Sequence, residues 1–138
     1  MHPSCIAVLT AASFRSLRSA KVDLSNSISK AAHPAATFVH YSVDDMKEIL
    51  DLGATFLEHT WNDVTRQVSH PLQISVLFDV IKAVGPAHCI MSTDAGQWLN
   101  PPAAQQMGIY IKEALKSGIS AQDVRRMVSD NPAKILGI

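Results

Sequence analysis

The sequence predicts an α/β fold in which the strands of a parallel sheet alternate with crossover helices. Three short apolar runs rich in strand formers, "TFVH" at 37–40, "TFLEHT" at 55–60 and "CIM" at 89–91, supply the strands. Each is followed by a longer segment whose apolar residues recur every three or four positions, the period of a helix with one buried face. Strand then helix, three times over, is the order that right-handed βαβ crossovers produce.

The elements follow in turn. Ser42, directly after the first strand, is a good N-cap, and Asp45 three residues on completes an approximate capping box. Val43, Met46, Ile49 and Leu50 then form one apolar face, and Gly53 stands where a helix C-terminal glycine belongs. After the second strand, "WNDVTRQVSH" reads as a polar loop. Ser69 and Pro71 open the second helix, Ile74, Leu77, Phe78, Ile81 and Val84 line its face, and Gly85-Pro86 stops it. The third strand ends at Asp94, and "GQWLNPP" forms the next loop. Met107, Tyr110, Ile111, Ala114 and Leu115 make a third amphipathic helix that ends near Gly118. Ser120 with Asp123 forms a second capping box, and Asn131-Pro132 reads as an N-cap with a first-turn proline for "NPAKILGI".

The bulk properties narrow the function classes. A chain of 138 residues supports one ordinary domain. Twelve Lys plus Arg are matched by twelve Asp plus Glu without a basic cluster, so no nucleic-acid surface is expected. No apolar run approaches the roughly 20 residues that span a bilayer, so no membrane partner is expected. Cys5 and Cys89 stand far apart and outside any CxxC or zinc-finger spacing, which points to a reduced, cytoplasmic setting. Residues 1–35 read as an irregular leader or remnant segment. Rich in Ser and Ala, with Arg15, Arg18, Lys21 and Lys30 against Asp23, it resembles an organellar transit peptide or the remnant of a longer chain.

The chemistry-bearing residues fall at the carboxyl ends of the strands, where parallel α/β folds build their sites: His40, then Glu58-His59-Thr60, then Asp94. Imidazoles with a carboxylate form a donor set suited to zinc, and also to manganese, iron or nickel. A divalent ion held by three protein ligands lowers the pKa of bound water to about 7, and a neighbouring carboxylate can take its proton. Each residue also has an ordinary structural reading: His40 bonded to a backbone carbonyl, His59 at an exposed strand terminus, Asp94 capping the turn at Ala95-Gly96. His33, His70 and His88 read as structural or surface residues. Trp61 and Trp98 read as loop anchors on the rim or as pocket walls, and Met46, Met107 and Met127 as core.

"STDAG" after an apolar strand, followed some way on by "VRRMVSDNPAKILGI", resembles the carboxyl-terminal half of the amidohydrolase superfamily of metal-dependent hydrolases. The resemblance spans residues 36–138, and "DNPAKILG" is its most specific part. It implies a partial TIM (β/α)₈-like barrel in which His40, His59 and Asp94 bind a divalent metal, zinc first, with Asp94 also the general base. The implied activity is attack of metal-activated water on an amide, ester or related bond of a small-molecule substrate. The family's first-strand His-x-His pair has no counterpart here, and a full barrel takes about 250 residues. The other expectation is therefore an inert barrel half or pseudoenzyme that binds a small molecule or enters an assembly, such as a homo-oligomer completing the barrel.

Overall fold

A computed structural model describes residues 31–32, 35–36, 39–40, 42–65, 72–96 and 98–138. The described residues begin with three short strands: β1 (Ala31–Ala32), β2 (Ala35–Ala36) and β3 (Val39–His40). Helix α1 (Val43–Asp51) leads into β4 (Phe56–Thr60), which runs into a 3₁₀ turn (Trp61–Val64). Helix α2 (Ile74–Val84) is joined through the 3₁₀ turn Pro86–His88 to β5 (Cys89–Ser92). The carboxyl-terminal part is helical: α3 (Ala103–Lys116), α4 (Ala121–Arg125), a π turn (Arg126–Asp130) and α5 (Asn131–Leu136). The architecture is mixed α/β and mostly helical, built on a small parallel sheet, and no helix among the described residues is long and apolar enough to cross a membrane.

The sheet rests on β4 and β5, parallel as expected, with Leu57 opposite Cys89, Glu58 opposite Ile90, His59 opposite Met91 and Thr60 opposite Ser92. The other neighbour of β4 is β1, also parallel. This corrects the expectation for "TFVH". Val39–His40 is a strand, but it pairs antiparallel with Ala35–Ala36 in a separate ladder. Ala31–Ala32 has no β-branched or aromatic residue, so nothing in the residue pattern marks it as the strand that joins the sheet.

Local chemistry explains the helix boundaries. Ser42 and Asp45 form the reciprocal capping box: the Ser42 hydroxyl accepts from the Asp45 N–H at 3.1 Å, and Asp45 Oδ2 accepts from the Ser42 N–H at 3.1 Å. Gly85 has φ 100°, a conformation that ends α2 at no steric cost, and Pro86 bars its continuation. Ser120 caps α4 by accepting from the Asp123 N–H at 3.1 Å. Helix α2 begins at Ile74 with Gln73 before it; Ser69, His70 and Pro71 lie outside the described residues.

Two helix expectations are corrected. Asn131 is no N-cap. It sits in helical conformation inside a continuous run from α4 to α5, and its N–H donates to Arg126 five residues back. Pro132 supplies the reason, since it has no N–H to give Val128 and its ring collides with that carbonyl in a regular helix; the π turn widens the helix where the proline enters. On α3 the buried face is Gln106, Tyr110 and Ala114, while Leu115 is 44% exposed. Spaced by four, those residues form a row in which a polar side chain is the first member.

The core lies between the sheet and the helices. Leu77, Phe78 and Ile81 of α2, Cys89 and Met91 of β5, and Tyr110 and Ala114 of α3 pack together with Val124 and Met127. A second cluster joins Met46 and Ile49 of α1 to Leu57 of β4. Met46 and Met127 are core as expected, and Met107 is half-buried.

Candidate functional site

The carboxyl ends of β4 and β5 lie side by side because the strands are parallel and in register to their last residues. The 3₁₀ turn after β4 presents Asn62, and the turn after β5 presents Asp94. Asn62 Nδ2 donates to Asp94 Oδ2 at 3.3 Å, and Asn62 Oδ1 accepts from Asn100 Nδ2 at 3.3 Å. The Thr65 hydroxyl approaches the Asn62 carbonyl at 2.9 Å and its Oδ1 at 3.1 Å. Asn62 therefore fastens the loop after β4 to the loop after β5. It lies in the segment read as a plain polar loop, and its partners at 94 and 100 are too distant in sequence for a spacing signal.

Asp94 is exposed and has φ 48°, the one left-handed non-glycine among the described residues. Aspartate tolerates that region better than most residues, yet it still costs free energy and concentrates at sites the surroundings hold in place. The turn-capping role expected of Asp94 falls instead to Thr93, whose hydroxyl accepts from the Ala95 N–H at 3.3 Å. The Asp94 carboxylate is thereby left to bridge to Asn62.

His59 is placed differently. Residues 57 and 59 share one side of a strand, and Leu57 packs against α1 and α2. The register partner of His59, Met91, belongs to the cluster under α2 and α3. The His59 side chain, 2% exposed, is thus turned into the helix layer rather than toward Asp94. Its carbonyl accepts from the Tyr110 hydroxyl at 3.3 Å. The backbone of His40 lies in the antiparallel ladder, and its side chain is outside the described residues.

His59 is buried and Asp94 is exposed, and among the described residues no three His, Cys, Asp or Glu side chains gather to hold an ion. What the sheet end does hold is a pair of neighbouring hydroxyls. Thr60 Oγ1 and Ser92 Oγ stand on register-paired residues, and both are buried without a hydrogen-bond partner. Gln106 donates through Nε2 to the Pro101 carbonyl at 2.8 Å, while its buried Oε1 has no partner.

Trp61 anchors its turn on the core, with its ring centroid 5.0 Å from that of Tyr110. Trp98 neither walls a pocket nor packs on the rim: it is 90% exposed, and Leu99 beside it is 63% exposed. Burial pushes the Cys89 thiol up to about 12. Burial, reinforced by Cys89 and Asp63, also raises the Tyr110 phenol well above its ordinary value.

Comparison with family models, with curated proteins and with solved structures finds no match.

Proposed function

We propose that this chain is an assembly module: a barrel-like α/β half that joins a second copy of itself through the loop that leaves β5, and is not a self-contained hydrolase. The observation that carries this reading is the pair Trp98-Leu99 on that loop, 90% and 63% exposed, an apolar tip of the kind that marks contact sites. The strand β5 itself is covered, with Cys89, Ile90 and Met91 all buried. A formal net charge of zero removes the repulsion that would keep like chains apart. A twofold arrangement then suits the surface, because each copy offers the other the same apolar patch.

Sedimentation velocity on the full chain tests the reading. A discrete dimer that a Trp98→Ser/Leu99→Ser variant converts to monomer supports it. A monomer at all concentrations, or a dimer indifferent to the variant, contradicts it.

Metal-dependent hydrolysis is the second reading, favoured by Asp94. It is an exposed carboxylate at the carboxyl end of a parallel strand, held in left-handed backbone and oriented by Asn62, within the "STDAG" segment that resembles the amidohydrolases. In this reading Asp94 accepts a proton from attacking water, and the missing donors come from a second chain. Metal analysis of the purified assembly decides it. About one tightly held transition metal per chain, lost in Asp94→Asn, supports hydrolysis, and background metal in both proteins rejects it.

A further inference from the structure

The opposite end of the sheet carries a feature that neither reading uses. A groove of about 550 Å³ opens at the amino end of β4, between α1, α2 and α5. Its size falls within the range of small-molecule sites. Leu50 from α1, Phe56 from β4 and Val84 from α2 supply its apolar surface. Lys47 from α1 and Lys134 from α5 line it as well, with Asp51 the one acid among the lining residues. The described ion pairs of the chain use Lys82, Lys116, Arg125 and Arg126, and neither Lys47 nor Lys134 takes part in them. Two lysines against one aspartate leave a single net positive charge beside an apolar surface.

We propose that this groove binds a small organic monoanion: a carboxylate with an apolar body of several carbons, its body on Leu50, Phe56 and Val84 and its charge between the two ammonium groups. The net charge selects a monoanion over a dianion, since Asp51 opposes the second negative charge. The apolar surface selects an amphipathic molecule over a bare inorganic anion, which would leave Phe56 and Val84 without a partner. Lys134 lies within the "DNPAKILG" segment, so the stretch that follows the buried Asn131 also supplies one wall of the groove.

Octanoate, with octanol as the uncharged control, tests the site on the full chain by titration followed with amide chemical shifts. The expected result is saturable octanoate binding with shifts centred on Thr55, Ala87 and His88. Affinity falls about tenfold in Lys47→Gln/Lys134→Gln, and binding is blocked in Ala87→Trp, which fills the groove from an exposed position. All substituted positions are exposed, so the variants keep the fold. Octanol binding as tightly as octanoate, octanoate affinity unchanged in the lysine variant, or shifts centred on Trp98 and Leu99 would overturn the proposal.

Discussion

The Tyr110 hydroxyl on α3 donates to the carbonyl of His59 on β4 at 3.3 Å, across 51 residues of chain, and so fixes the helix layer to the strand that ends at the candidate site. The Tyr110 ring packs between Trp61 and Phe78, with centroids 5.0 and 6.0 Å away. Removing the hydroxyl alone leaves the packing intact and strands one buried carbonyl. Tyr110→Phe is expected to lower unfolding free energy by about 1 kcal/mol, and Tyr110→Ala by about 3–5 kcal/mol, both read by urea denaturation.

Asn131 performs the same service at the other end of the sheet. Its Nδ2 donates to the carbonyl of Cys89 at 2.7 Å and to that of Pro86 at 3.0 Å, and the residue is fully buried. Asn131→Leu takes the donor from both carbonyls, so a loss of about 2–4 kcal/mol is expected. A change within about half a kcal/mol would show that the carbonyls find other partners.

Asp94 separates conformation from charge. Glycine relieves the left-handed backbone, whereas a β-branched residue aggravates it. Asp94→Gly should fold with stability near that of the parent, and Asp94→Val should lose about 1–3 kcal/mol. Equal losses in both would mean that the bond to Asn62, not the backbone, dominates at this position.

Alkaline pH should weaken the fold through Cys89. Its thiol is raised from 9.0 to about 12 in the folded protein, so the folded state holds its proton where the unfolded state has released it. The resulting stability is fully present below pH 9 and is lost as pH rises from 9 toward 12, amounting to at most about 4 kcal/mol. Tyr110, also raised by burial, acts in the same direction above pH 10. Stability measured against pH should fall across this window, and Cys89→Ala should flatten its lower part. A parent and a variant with parallel profiles would refute the assignment to Cys89.

Much of this architecture was legible because it depends on short-range chemistry. The Ser42–Asp45 box, the stop at Gly85-Pro86 and the apolar runs of β4 and β5 are each determined by neighbours a few residues apart. What the sequence concealed depends on long-range pairing. The Ala31–Ala32 strand is extended because β4 offers it a ladder, and no side chain announces that. The direction of His59 follows from strand register, and a single residue of register decides between helix layer and opposite face. Asn131 reads as a cap by type and spacing, but the carbonyls of Pro86 and Cys89, more than forty residues back, draw it into the core. Gln106 breaks the apolar pattern of α3 while occupying its most buried row, so the hydrophobic period points too far round toward Leu115.

The central claim is that the Trp98-Leu99 tip docks on a second copy of the chain. Hydrogen–deuterium exchange of a peptide spanning residues 98–100, measured at low and at high protein concentration, tests it most directly. The account predicts that exchange in this segment slows as concentration rises, while the exposed surface of α3 exchanges at a constant rate. Exchange at 98–100 that is the same at every concentration would contradict it.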